Sequence, residues 1–233
     1  MRRASRDYVL GLFEKNPDWN ILDLGGGRDP WTAANTVFDI EDYSSDHRYS
    51  SPSNRFVQGE AGNTPFKDKE FDFVTACHII EHVPDPKSFC DDLMRIGKRG
   101  YIEFPTPLFD NLIEGNDNPP PHGHVWWVTF DDDIQKIIFK PKKIVAPVRL
   151  TFPNGSIDIL NYLHPRTTTY LMPFFKDSMV TGIFWEKEIM FEVQEPIFTY
   201  NAGNSDPNIT VDLSKDHEAS LREWTSKIYF SEG

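Results

Sequence analysis

In the first hundred residues, apolar positions follow a helical rhythm in two places and otherwise come in short blocks. Tyr8, Val9, Leu12 and Phe13 recur at helical spacing over residues 5–15, and Asn16-Pro17-Asp18 ends the pattern. Phe89, Leu93 and Ile96 mark one apolar side of a second helix over residues 87–96. That helix follows Pro84-Asp85-Pro86 and is closed by Gly97. The blocks at 20–24, 36–40, 55–57, 71–77 and 99–104 predict five short strands, the last stopped by Pro105-Thr106-Pro107. Residues 41–54 are polar and read as a loop. Strands that alternate with helices or loops predict a mostly parallel sheet flanked by helices.

The second half has a different pattern. Residues 110–124 are rich in Asn, Pro and Gly and predict a loop. Val125-Trp126-Trp127-Val128-Thr129 and Ile137-Ile138-Phe139-Lys140 flank the acidic Asp131-Asp132-Asp133, which predicts an antiparallel hairpin. Residues 144–200 hold further β-rich, aromatic stretches, among them Gly182-Ile183-Phe184-Trp185 and Met190-Phe191-Glu192-Val193. Residues 201–218 are polar and predicted to be loose. With no internal repeat and no clear linker, one domain over 1–233 with a β-rich C-terminal elaboration is the simplest organisation.

Charge narrows the partners. The net charge is −12, with a pI near 5.0, which argues against sequence-independent nucleic-acid binding, since that needs a basic face. The basic cluster Lys136, Lys140, Lys142, Lys143 and Arg149 reads as a solvated strand edge. No apolar run approaches the roughly 20 residues that span a bilayer. The basic start, Met1-Arg2-Arg3, leads into no apolar signal stretch, so a cytosolic location is expected. Two cysteines, Cys77 and Cys90, suggest neither a disulfide framework nor a zinc knuckle. The glycosylation patterns at Asn154 and Asn208 carry no weight without a secretory signal.

The candidate chemistry begins at Ile21-Leu22-Asp23-Leu24-Gly25-Gly26-Gly27, a buried strand running into a glycine turn. Such a turn, at the carboxyl end of a first parallel strand, is where nucleotide-like ligands sit. A dinucleotide fingerprint wants a third spaced glycine, and that place holds Pro30. The segment between residues 28 and 35 also leaves room for barely two helical turns, so a smaller ligand bearing an amine and a carboxylate fits better.

Four further motifs follow in order: Asp39; Gly59-Glu60-Ala61 with Thr64-Pro65-Phe66; Phe71-Asp72-Phe73-Val74; and Ile80-Glu81-His82-Val83-Pro84-Asp85-Pro86. With the glycine turn, over residues 20–107, they resemble the class I S-adenosylmethionine-dependent methyltransferases, in particular the broad small-molecule group. The resemblance implies a Rossmann-like sheet, mostly parallel with its last strand antiparallel, and S-adenosylmethionine as cofactor. It implies that Gly25, Gly26 and Gly27 lie against the methionine part, with Asp23 beneath them near its amino group. It implies that Asp39 accepts hydrogen bonds from the ribose hydroxyls, that Glu60 and Ala61 contact the adenine, and that His78 helps wall the site. Asp39 lies closer to Gly25 than in most relatives, which implies a site more open on one side. In this reading residues 1–107 hold the cofactor and residues 108–233 hold the acceptor.

His78, Glu81 and His82 have i, i+3, i+4 spacing, which places side chains together on one helical turn. Ubiquinone-type O-methyltransferases and small-RNA 3′-end methyltransferases carry Glu-x-x-Glu-His here, with His78 of this chain replacing the first Glu. His78, Glu81 and His82 could therefore ligate Mn²⁺, Fe²⁺ or Zn²⁺. The metal-free reading, in which the histidine packs or bonds to backbone, is preferred to it. His82 or His124 as general base, or as a substrate contact, is the competing assignment. Segments 101–107, 124–127 and 138–140 resemble a bacterial and viral subset that accompanies polysaccharide assembly. Trp126, Trp127 and Trp185 could stack on sugar faces, with Glu103 and His124 bonding hydroxyls; for any one tryptophan a core position is the preferred reading. The function expected is O-methyl transfer to a sugar or glycan hydroxyl. The alternatives are another small acceptor, such as a phenol or carboxylate, and a silent S-adenosylmethionine-binding protein.

Overall fold

The computed structural model describes residues 1–43, 45–46, 55–112, 123–142 and 179–194. The expected β-rich stretch over 144–178, the tail at 201–218, the basic positions Lys143 and Arg149 and both glycosylation patterns lie outside the described residues.

Five parallel strands form the centre: β2 (Ile21–Leu24), β3 (Thr36–Asp39), β4 (Arg55–Gln58), β5 (Phe73–Cys77) and β6 (Arg99–Pro105). With β1 (Arg2–Arg3) and β9 (Val180–Glu186) they make a seven-stranded sheet in the order β1-β9-β6-β5-β2-β3-β4. β9 runs antiparallel to β6 on one side and to β1 on the other. This is the expected Rossmann-like arrangement, mostly parallel with one late antiparallel strand. The chain leaves β2 in one direction towards β3 and β4, then returns to β5 and β6 on the other side. The carboxyl ends of β2 and β5 therefore border the topological switch point, where open α/β sheets bind ligands.

Both faces of the sheet are covered, which is why its strands read as apolar blocks rather than as strict alternations. Ile21, Phe73 and Tyr101 face α1 (Arg6–Lys15), which presents Val9 and Phe13. Leu22, Leu24, Val74, Ala76 and Ile102 face the opposite way, towards Phe89, Leu93 and Ile96 of α2 (Pro86–Ile96). Both helices are capped at their starts: the Ser5 side chain accepts from the Tyr8 N–H, and that of Asp85 from the N–H groups of Lys87 and Ser88. On the α2 side lies a smaller sheet of β7 (Trp126–Asp131), β8 (Lys136–Pro141) and β10 (Phe191–Val193). β7 and β8 are the expected hairpin; Asp131 stabilises its turn by accepting from the N–H groups of Asp133 and Ile134. β8 carries Ile137 and Phe139 into the main core.

Three features depart from expectation. The connection between β2 and β3 contains no helix; it is a series of turns through residues 25–34. A six-residue helix, α3 (Pro107–Leu112), occupies the start of what reads as a loop. The first residues form edge strand β1.

Gly100, on β6, is required by close packing. A Cβ there would lie 2.3 Å from the Val74 carbonyl oxygen and 2.7 Å from Nε1 of Trp185. Gly100→Ala should lower stability by about 1–3 kcal/mol, the usual penalty of overpacking, read as a lower urea midpoint with unchanged slope.

Candidate functional site

The glycine turn sits directly on the end of β2. Gly25 and Gly27 have φ of +75° and +56°, so the backbone folds back in a way L-residues resist. A Cβ on Gly26 would fall 2.8 Å from Asp23 Oδ2, whereas one on Gly27 would meet nothing within 4 Å. Gly26 therefore packs inward and Gly27 opens outward. Asp23 is buried beneath the turn and accepts from the Trp31 N–H at 2.8 Å and the Thr75 hydroxyl at 2.7 Å. Burial pushes its carboxyl up to about 6, with those two hydrogen bonds opposing the shift. Asp39 accepts from the Gly27 N–H at 2.9 Å and the Glu41 N–H at 3.1 Å. A carboxylate offers about four acceptor sites, so Asp39 braces the turn and keeps capacity for a ligand. The Gly59 N–H donates to the Asp39 carbonyl at 2.9 Å, which brings Glu60, exposed, and Ala61, half-buried, beside the turn.

Across the switch point, Glu103 on β6 is the centre of a network. Arg6 of α1 donates to both its oxygens, at 3.0 Å from Nε and 2.6 Å from Nη2. The Tyr101 hydroxyl donates at 2.6 Å, and His78 Nε2 lies 3.2 Å away. Burial alone would raise this carboxyl, but the bonds from His78, Arg6 and Tyr101 hold it at about 2. His78 follows β5 with φ of +54°, its N–H donating to the Glu103 carbonyl at 2.8 Å. Burial pulls its imidazole down, yet Glu103 and Glu81 hold it at about 9, so it is a cation at neutral pH. Both thiols are pushed up by burial, Cys90 to about 12, which leaves neither as a nucleophile at neutral pH.

The residues after His78 form a tight turn, with the His82 N–H donating to the Ile79 carbonyl at 2.9 Å, rather than a continuous helix. Glu81 points inward and is 1% exposed. Its backbone carbonyl accepts from the Val125 N–H at 2.8 Å, which docks the start of β7 onto this turn. His124 thereby comes beside His82, the rings meeting edge-on with centroids 4.6 Å apart. Nδ1 of His82 bonds the Gly123 carbonyl at 3.1 Å, and Nδ1 of His124 bonds Asp110 of α3. Asp110 also pairs with the buried Lys142 at 2.9 Å. Burial lowers the His82 imidazole, so it is neutral at pH 7.

Ligand atoms of Glu81, His82 and His124 all lie within 4.8 Å of one another. His78, expected in that set, instead lies between Glu103 and Glu81, with Nδ1 3.6 Å from Glu81. The tryptophans separate. Trp185 is wholly buried, against its suggested contact with a sugar, because β9 directs it onto Gly97 and Gly100 in the core. Trp126 donates to the Val83 carbonyl at 2.7 Å, and Trp127 is half-buried beside it. Arg6, Tyr101, Asp110 and Lys142 were not singled out as site residues, because no spacing links them to Glu103 or His124. Their only signal is chemical: a buried acid needs a cation.

Residues 29–102 match the family model described as a methyltransferase domain. No curated protein matches the chain. Solved structures that do match include a protein from Bacillus halodurans C-125 described as a candidate methyltransferase, at 22% identity over 43% of this chain and 52% of that one, with a TM-score of 0.36. They also include the YcgJ protein of Bacillus subtilis, at 19% over 47% and 53%, TM-score 0.34. A third is an arsenic(III) S-adenosylmethionine methyltransferase from Chlamydomonas reinhardtii, at 19% over 38% and 39%, TM-score 0.31. The chain spans about half the length of the first solved structures it matches.

The raised carboxyl of Asp23 sets a pH dependence. Its folded value, about 6, exceeds the ordinary 3.8. The associated stability is present in full below the ordinary value and is lost as pH rises through about 6. Asp23→Asn should lose less stability than the parent between about pH 4 and pH 7, measured as urea midpoints at both pH values.

Proposed function

We propose that this chain, whose residues 29–102 match a methyltransferase domain, is a cytosolic enzyme that methylates a hydroxyl oxygen of a sugar or glycan, using S-adenosylmethionine. The observation that carries this reading is the open cradle at Gly27. Its positive φ, its N–H braced on Asp39 and the clear space above it let a small polar ligand lie against the main chain at the switch point. That shape fits S-adenosylmethionine: Gly25 and Gly27 would meet its methionine part, Asp39 its ribose hydroxyls, and Glu60 and Ala61 its adenine.

When bound, the cofactor would supply a methyl group on a positively charged sulfur, which would leave as a neutral thioether. The protein's part is alignment and proton removal. Glu103, saturated by Arg6, Tyr101 and His78, acts as a positioning residue that holds the end of β6 and the turn after β5 in register. His78 walls the site. The hydroxyl proton leaves at the cluster of Glu81, His82 and His124, the group of acid and imidazoles nearest that wall. Residues 108–233 provide the acceptor side, where His124 and half-buried Trp127 suit a hydroxyl-bearing ring.

Calorimetry with S-adenosylmethionine and its demethylated product tests the cofactor; binding of neither would overturn the reading. Asp39→Ala should weaken binding about 10- to 100-fold, the loss of one or two charge-assisted hydrogen bonds. Labelled cofactor offered with glycans, phenols and carboxylic acids then identifies the acceptor, and incorporation only into phenols or acids would replace the glycan.

A further inference from the structure

We propose that Asp92 and Arg95 of α2 are positioning residues: they hold residues 60–63 in the one shape that reads a purine base, and so set a preference for adenine over hypoxanthine. The identity of the base rests on the function proposed above. The observation behind this is a backbone arch with two supports. One support is β3. The Gly59 N–H donates to the Asp39 carbonyl at 2.9 Å, and a Cβ on Gly59 would lie 2.6 Å from the Phe38 ring. The other support is α2. Asp92 accepts from the Thr64 N–H at 2.9 Å, while Arg95 donates to the Thr64 carbonyl at 3.0 Å and to the Phe66 carbonyl. Both main-chain groups of Thr64 are thus held by one ion pair.

Between these supports, among the described residues, residues 60–63 make no hydrogen bond of their own. Gly62 turns there with φ of +93° and passes over the backbone of Ser88 and Phe89. Hydrogen bonding therefore reaches the arch only at its ends, and loosening an end moves Glu60 and Ala61. The chain beyond the arch is fixed to the same helix. Phe66 packs edge-on against Phe38 and Phe71, and the Lys69 N–H donates to the Arg95 carbonyl at 2.8 Å.

The cost of the pair separates positioning from simple stabilisation. Asp92 is 7% exposed, and a buried charge returns little net stability over a well-packed apolar substitute. What the pair does define is geometry. Arg95 meets Asp92 through Nε at 3.0 Å and through Nη2, and the same guanidinium bonds two carbonyls of the arch's descending limb. A planar fork serves an acid and two carbonyls at once, which a lysine ammonium on its flexible stem does not. At the other end of this chain of contacts stands Glu60. Adenine offers it an amine donor, whereas hypoxanthine offers a carbonyl, a second acceptor facing a carboxylate. The two bases differ in affinity only while Glu60 is held in place.

The test is a ratio of two dissociation constants, measured by calorimetry on the full chain. The probes are S-adenosylhomocysteine and S-inosylhomocysteine, which differ only at that edge of the base. The parent should bind the adenine compound about 10-fold more tightly. Arg95→Gln and Asp92→Asn should each weaken it by about that factor, leave the inosine compound unchanged and bring the ratio near one. Gly100→Ala, which strains the core away from the arch, should keep the parent's ratio. Circular dichroism confirms that each variant is folded, and either α2 variant suffices, because both break the same pair. A ratio that persists in a folded α2 variant overturns the positioning role. So does equal weakening of both compounds, an equal loss in Gly100→Ala, or a parent with no preference. Binding of neither compound by the parent instead overturns the function proposed above.

Discussion

Among the described residues, four carboxylates are buried at the carboxyl edge of the main sheet, and the way each is satisfied determines how the surrounding elements meet. An ionised acid removed from water costs several kcal/mol unless partners replace the solvent. Glu103 meets that cost with Arg6 from α1, Tyr101 from its own strand and His78 from the turn after β5. Asp110 meets it with Lys142, just beyond β8, and His124, just before β7. Asp23 takes a hydroxyl and a backbone N–H and shifts its own pKa upward. In the first two cases the partners come from elements far apart in the chain, so satisfying the acid also docks a helix or the hairpin. Glu81 is the exception, and the contrast with its neighbours is what singles it out.

The elements legible in the sequence are those made by local or short-range rules. The apolar blocks at residues 21–24, 36–39 and 73–77 became central strands because a sheet covered on both faces demands apolar residues throughout. Ser5 and Asp85 cap their helices by local bonds to the next turn, which the apolar spacing did not itself indicate. Asp39 stands beside the glycine turn, where the resemblance puts it, because β3 pairs in parallel with β2. Arg6 and Glu103 were not legible as a pair, since nothing in the local pattern of either states that α1 crosses the end of β6. The same holds for Asp110 and His124, joined through α3 in a stretch that reads as loop. Trp185 takes the core position preferred for it, and the reason is non-local: two glycines on the neighbouring elements leave space for its ring.

The site is stiff, and its positive charges come from side chains rather than from a helix end. The positive φ of Gly25, Gly27 and His78 shapes two tight turns, the glycine turn and the turn after β5, around one switch point, and the N–H of each of these residues donates to a neighbouring strand or side chain. The connection after β2 has no helix, so no helix N-terminus adds positive potential under the cradle.

The placement of β9 has a consequence for how the chain matures. β9 ends at Glu186 and fills the space between β6 and β1, pairing with both. A ribosome must therefore add about 80 residues after β6 before that strand can arrive, which takes several seconds at about 5–20 residues per second. During that interval the nascent chain presents the unpaired edge of β6, whose residues from Gly100 onward are buried in the finished fold. Exposed strand edges template aggregation. The cradle around Gly27 can assemble early, from residues close in the chain, but its supporting sheet remains vulnerable until β9 closes it.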